Sequence, residues 1–230
     1  MTIHQRGTIE SMTFDGIIFD MDGTLIDSTP AVLRSWVTWG SELGLSPDQL
    51  QGFHGVPAAS IVDQVLPEDQ RADGLVRITE LELADTGDIV VLPGAAEALA
   101  ALAPSAAAAI ATSCTRQLAE ARLEACGLVR PEVLITIDDV VRGKPAPDPF
   151  LAAADRLGVD PARCLVVEDA PKGLQAGRAA GARTLAVVTT TDVDDLAADA
   201  IVTDLSSVRF VAAGSVDAGR VDQGITVNLV

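Results

Sequence analysis

Five short apolar runs, each stopping at a polar or acidic residue, constrain this chain more than any other feature. The first is Gly16-Ile17-Ile18-Phe19, which ends at Asp20; the others are Ala106 to Ala111, Val133 to Ile137, Cys164 to Val167 and Thr184 to Val188. Runs this short, with no polar residue alternating through them, read as strands covered on both faces, the habit of a parallel sheet. Segments of helical period lie between them. Thr115 precedes one carrying Leu118, Ala121, Arg122 and Ala125, which ends at Gly127. Asp148-Pro149 opens another with Phe150, Leu151, Ala154 and Leu157, closed by Gly158, and a third runs from Pro171 to Ala180 before Gly181. Proline just inside a helix and glycine just past it are the expected punctuation. Strand and helix alternating in this way predict an α/β fold: a doubly wound parallel sheet with helices on both faces.

The alternation fails between residues 29 and 91. Thr29-Pro30 opens a helical segment with Val32, Leu33, Trp36, Val37 and Leu43, closed by Gly44. Ser46-Pro47 opens a second, and Pro57 a third with Ile61, Val62, Val65 and Leu66; a charged helix follows through Leu75, Ile78 and Leu83. The reading is a small all-helical cap inserted after the first strand, with both tryptophans in its core. The expected organisation is a loose N-terminal arm over 1–12, a core built from 13–28 and 92–230, and the cap over 29–91. Beyond it the pattern predicts a last strand at Ile201 to Thr203, a helix around Ser206 to Val211 and an edge hairpin from Gly219 to Val230.

The net charge of −17 repels nucleic-acid backbones and anionic lipid, so neither is an expected partner. No apolar run approaches the ~20 residues of a membrane span, and the first twelve residues lack the apolar stretch of a signal peptide. Cys114, Cys126 and Cys164 have neither metal-ligand spacing nor a disulfide framework, which fits a reducing cytoplasm. The same net charge repels phosphorylated metabolites at long range. A chain like this that binds one needs a cation or fixed local donors.

In an open parallel sheet, ligands bind at the carboxyl ends of strands. The first strand runs into Asp20-Met21-Asp22-Gly23-Thr24. Two carboxylates so spaced can share a cation, or one can attack an electrophile while the other moves protons; alone, the motif is equally a helix-capping loop. Ala106 to Ala111 runs into Thr112-Ser113, where a hydroxyl and a free amide can hold a phosphate oxygen. Arg142-Gly143-Lys144-Pro145-Ala146-Pro147-Asp148 stiffens a loop around one lysine, and Cys164 to Val167 runs into a second acidic pair, Glu168-Asp169. Acid so close to a buried strand is costly without a cation or donors. Together the four supply a nucleophilic carboxylate, hydroxyl donors, a lysine and an oxygen-only site suited to Mg²⁺, the equipment for phosphoryl transfer through an aspartyl phosphate.

These four motifs, in this order, resemble the haloacid dehalogenase-like hydrolase superfamily, over about Phe14 to Val211. The stretches Val141 to Asp148 and Val166 to Gly173 resemble the subgroup with a small helical cap after the first motif. The resemblance implies a Rossmann-like core. It implies Asp20 as nucleophile and Asp22 as general acid, then base. It implies Thr112, Ser113 and Lys144 as the phosphate-binding set. Asp20, the backbone carbonyl of Asp22, and Asp169 would be Mg²⁺ ligands, with Glu168 a ligand or a support for one.

The presence of Asp22 argues against a dehalogenase, and the absence of lysine between Asp27 and Val91 argues against a phosphonate hydrolase. The β-phosphoglucomutases carry a histidine where this chain has Ala31-Val32 and a cap arginine where it has Gly55-Val56-Pro57-Ala58. Phe53-His54-Gly55 and Leu92-Pro93-Gly94 resemble the branch of 2-deoxyglucose-6-phosphatases and glycerol-3-phosphatases. There His54 and Gly55 would face the substrate, with Glu80 or Glu82 as further contacts to its hydroxyls. The resemblance thus implies a cytoplasmic, monomeric, Mg²⁺-dependent phosphatase of small sugar or polyol phosphates. The alternatives are a sugar-phosphate mutase and a non-catalytic binder of phosphorylated ligands.

Overall fold

The computed structural model describes residues 9, 12–46, 49, 56–212, 216–217, 220–221 and 224–229. Its centre is a six-stranded, all-parallel sheet of β2 (Gly16–Phe19), β5 (Ala108–Ala111), β6 (Val133–Ile135), β7 (Cys164–Glu168), β8 (Arg183–Val187) and β9 (Ala200–Val202), in the spatial order β6-β5-β2-β7-β8-β9. The apolar runs sit here because both faces are covered. One set of alternate residues, including Ile17, Phe19, Ile110 and Val167, packs against α4 (Ala95–Leu102) and α5 (Arg116–Ala125). The other, including Ile18, Ala109 and Val166, packs against α6 (Asp148–Leu157) and α7 (Pro171–Ala179). The chain leaves β2 for β5 and β6 on one side, then returns to β7, β8 and β9 on the other. The strand order therefore reverses at β2, the place where open α/β sheets bind ligands.

Among the described residues, three α-helices lie in the gap in the alternation: α1 (Thr29–Glu42), α2 (Ala58–Val65) and α3 (Arg71–Ala84). They have a small core of their own in Trp39, Val62, Leu66 and Ile78, and the Trp39 indole donates to the Gly74 carbonyl at 2.8 Å. The chain enters and leaves through one antiparallel ladder, β3 (Ile26–Asp27) with β4 (Val90–Val91). The buried face of α1 differs from the expected stripe: Ala31, Ser35, Trp39 and Gly40 are inside, while Leu33 and Val37 are exposed. Trp39 fixes the face, and residues four and eight before it follow. The second expected helix, from Ser46-Pro47, falls largely outside the described residues.

The expected helix at Ser206 to Val211 is corrected to a short turn and a strand, β10 (Val208–Ala212). It pairs antiparallel with β13 (Ile225–Leu229), which also pairs with β1 (Thr13–Phe14); β11 (Val216–Asp217) and β12 (Arg220–Val221) form a hairpin between them. The terminal segment is thus the middle of a separate three-stranded sheet, not an edge of the main one. Phe210, Ile225 and Val227 are buried in the same core cluster as β2. Of the expected loose arm, only residues 9 and 12 are described, and Ile9 is fully buried in that cluster.

Candidate active site

Asp20, Thr112 and the pair Glu168-Asp169 stand at the carboxyl ends of β2, β5 and β7, three adjacent strands. Parallel registry puts them side by side: Phe19 is opposite Ile110 on one flank and Val167 on the other. Lys144, on the loop entering α6, reaches over the same end. Its ammonium donates to Asp20 Oδ1 and, at 2.8 Å, to Glu168 Oε1, and lies 5.0 Å from the Phe150 ring centroid. Asp20, Thr112, Lys144, Glu168 and Asp169 are all buried.

Burial pushes the Asp20 carboxyl well above the ordinary carboxylate range; Lys144 opposes this, and the Glu168 and Asp169 charges add to it. Burial also pushes Asp169 up to about 7, with Glu168 adding to it. Burial works against the Lys144 charge too, but Asp20 and Glu168 outweigh it and hold the ammonium above the usual lysine value. The three carboxylates offer one oxygen each within 4.8 Å of one another. Crowded, buried carboxylates of this kind fit a hard divalent cation, which prefers oxygen ligands.

The hydrogen bonds separate the carboxylates by role. Both oxygens of Glu168 are taken: Oε1 by Lys144, Oε2 by the backbone N–H groups of Asp169 and Ala170 at 2.8 and 2.7 Å. Gly173 makes this seat available, because a Cβ there would stand 1.6 Å from Oε1. Asp169 accepts from the hydroxyls of Thr24, at 3.2 Å, and Thr190. Gly23 turns beneath it with a φ of +86°, where a Cβ would lie 2.3 Å from Asp169 Oδ2.

Asp22 points elsewhere. Its Oδ1 accepts from Ser28 Oγ at 2.6 Å and from Arg122 Nη1 at 2.8 Å, and its Oδ2 from the Cys114 thiol at 3.1 Å. Ser28 is the residue that caps α1, yet its hydroxyl makes no cap bond and serves Asp22 instead. Thr115, by contrast, caps α5 in the ordinary way.

The structure therefore brings Asp20, Thr112, Lys144, Glu168 and Asp169 together, with Asp22 and Ser113 on the adjoining loops. His54 and Gly55 lie outside the described residues. Glu82 is buried and ion-paired to Arg122, and Glu80 is exposed beside Arg77. Sequence reasoning missed Thr24, Thr190, Ser28 and Arg122. Arg122 shares a helix face with Leu118, four residues before it, and only the structure shows that this face is buried.

A parallel sheet with an acid–lysine cluster at its switch point defines an α/β protein with a candidate cation and anion site. The model of the haloacid dehalogenase-like hydrolases matches residues 14–181, and the chain belongs to that family. It is 41% identical over 181 residues to hexitol phosphatase A of Escherichia coli, covering 76% of this chain and 84% of that protein. It is 33% identical over 214 residues to glycerol-1-phosphate phosphohydrolase 2 of Saccharomyces cerevisiae, covering 86% of each. The crystal structure of a hydrolase from Pseudomonas syringae superposes with a TM-score of 0.76 at 28% identity, over 83% of this chain and 94% of that one. Hydrolases of this family use a divalent metal, and the acidic cluster is where this chain would hold it. No helix among the described residues is long and apolar enough to cross a membrane.

Proposed function

We propose that this protein is a Mg²⁺-dependent phosphatase of small sugar or polyol phosphate monoesters that carries the phosphoryl group on Asp20. The observation that carries the reading is the convergence of Asp20, Thr112, Lys144 and Asp169 at the ends of three neighbouring strands. The similarity to phosphatases of hexitol and glycerol phosphates supports the substrate class.

Asp20 and Asp169 are the carboxylates that would hold the cation: Glu168 is pinned by an ammonium and two backbone amides, whereas the other partners of Asp169 are hydroxyls, which can turn. When bound, the cation supplies the positive charge that the phosphate dianion and the buried carboxylates both require. Lys144 and the Thr112-Ser113 turn bind the phosphoryl oxygens. An Asp20 carboxylate oxygen attacks phosphorus, and the phosphorus–ester oxygen bond breaks. The leaving oxygen takes the electron pair and a proton from Asp22. Asp22, now a carboxylate, accepts a proton from water as the water oxygen attacks phosphorus, and the phosphorus–Asp20 bond breaks. Phosphate leaves with Asp20 restored. Helices α1 to α3, which reach the site through the Glu82–Arg122–Asp22 contact, select the alcohol and limit bulk water. The working form is a monomer in the cytoplasm.

The test is phosphate release from a panel of hexitol, hexose and glycerol phosphates with and without Mg²⁺, for the wild type beside Asp20→Asn. Metal-dependent release that the variant abolishes supports the reading. Release from none of the panel sinks it.

A further inference from the structure

Two consecutive threonines on the loop after β8 grip the site from outside the four sequence motifs. The loop is anchored on β9, where the Val188 N–H donates to the Val202 carbonyl at 3.0 Å. From there Thr189 donates its hydroxyl to the Gly23 carbonyl, and Thr190 donates its own to Asp169 Oδ2. The Thr190 methyl stands over Gly23: a Cβ on that glycine would lie 2.9 Å from it and 2.3 Å from Asp169 Oδ2. Asp169 is 3% exposed, and its other hydroxyl contact, from Thr24 to Oδ1, is at 3.2 Å. The two oxygens of this carboxylate are therefore unlike. Oδ2 is enclosed by the Thr190 hydroxyl and the Gly23 backbone, whereas Oδ1 has one long contact from a hydroxyl that can turn. An incoming cation can take the place of Thr24 on Oδ1 while Thr190 keeps Oδ2.

We propose that Thr190 is a positioning residue that limits Asp169 to one oxygen toward the divalent cation, and so makes the site prefer Mg²⁺ to Ca²⁺. The inference rests on the reading of Asp20 and Asp169 as the carboxylates that hold the cation. Mg²⁺ takes its oxygens at about 2.0–2.1 Å in a near-ideal octahedron, whereas Ca²⁺ takes more of them, at about 2.3–2.6 Å and in looser arrays. A carboxylate that turns both oxygens to one ion raises the ligand count through a narrow bite, which suits Ca²⁺ and spoils an octahedron. With Oδ2 bonded to Thr190, Asp169 supplies one oxygen from a fixed orientation. Without that hydroxyl the carboxylate is free to rotate and present both. The discrimination comes from a loop that brings no charge of its own to the site.

The test reads cation binding rather than turnover. Chelator-treated full-length protein is titrated calorimetrically with MgCl₂ alone and with CaCl₂ alone at fixed pH, and the ratio of the Kd for Ca²⁺ to the Kd for Mg²⁺ is compared between variants. For Thr190→Val, which keeps the shape and loses the hydroxyl, that ratio falls by about 10-fold or more, the scale on which hydrogen-bond partners of metal ligands act. Mg²⁺ binding weakens while Ca²⁺ binding holds or tightens. Thr190→Ser, which restores the hydroxyl, keeps the wild-type ratio. Thr190→Ala makes the same comparison if the valine variant does not fold. A merely structural role would weaken both cations alike. An unchanged ratio in the hydroxyl-free variant, whether the two affinities hold or fall together, overturns the proposal when Asp169→Asn has lost Mg²⁺ binding. Mg²⁺ binding that survives intact in Asp169→Asn overturns the reading of Asp169 itself, and the proposal with it.

Discussion

Gly173 has no side chain to take part in chemistry, yet the site depends on it. A methyl group there would collide with the Glu168 carboxylate, which two backbone amides pin in place. We expect Gly173→Ala to cost about 1–3 kcal/mol of stability, as overpacking does, and to lower kcat by about tenfold or more, because displacing Glu168 displaces Lys144. Melting curves and phosphate release check both. The buried carboxylates give a second expectation. Asp20 and Asp169 have folded-state pKa values raised above the unfolded ones, chiefly by burial. Their contribution to stability is therefore fully present below about 4, the unfolded value, and is lost as pH rises, for Asp169 through about 7. The exposed carboxylates held low by arginines, such as Asp15, Asp85 and Asp88, are ionised throughout that interval and do not mask the effect. Chelator-treated protein should melt at a lower temperature at pH 8 than at pH 5, and added Mg²⁺ should restore more at pH 8. A flat profile with a pH-independent gain from Mg²⁺ would contradict it. The acidic motifs were legible because strand ends announce themselves as abrupt changes from apolar to charged, and Lys144 because two prolines frame it on the loop entering α6. Arg122 was not, because one arginine in a helical stripe looks like a solvated face until Asp22 and Glu82, 100 and 40 residues away, are seen against it.

Among elements, the parallel strands and α5 to α7 matched their sequence signals because each is decided locally, by a run of apolar residues or by a proline–glycine pair. The strand β10 was misread as a helix for the opposite reason. Its partner β13 is supplied by the far end of the chain, and only that pairing explains why Val208 and Phe210 are buried while Arg209 and Val211 are exposed. Removing residues 213–230 should accordingly do more than trim a tail. It exposes Phe210 and withdraws Ile225 and Val227 from the main core; each fully buried apolar side chain is worth about 1.5–3 kcal/mol, so the truncated chain should melt well below the intact one or fail to express as soluble protein. The inserted helices make a contrasting case. Their core is small and separate, centred on Trp39. Trp39→Ala should cost about 3–5 kcal/mol locally, and amide exchange should accelerate in α1 to α3 while β2, β5 and β7 stay protected. Uniform acceleration across the sheet would show instead that the two cores melt together.

At the scale of the whole molecule, the charge of −17 surrounds a site that takes a dianion. Long-range repulsion should slow encounter, and salt should relieve it. Raising ionic strength from about 0.01 M to about 0.15 M shortens the screening length from about 30 to about 8 Å. With saturating Mg²⁺, kcat/KM for a sugar phosphate should rise over this range; a fall would mean that local attraction at the site dominates the encounter. The large-scale plan explains how such a surface coexists with an anion site: its cation, Lys144, is buried beneath the acidic exterior, where solvent screens it least. The distribution of aromatic residues has an optical consequence. The chain has no tyrosine, and its two tryptophans, Trp36 and Trp39, both lie on α1 with ring centroids 5.2 Å apart. Its tryptophan emission therefore arises entirely from the inserted helices, which also carry Glu82, the partner of Arg122. The protein thus carries its own fluorescent probe beside the active site, and unfolding of the sheet alone would leave that light unchanged.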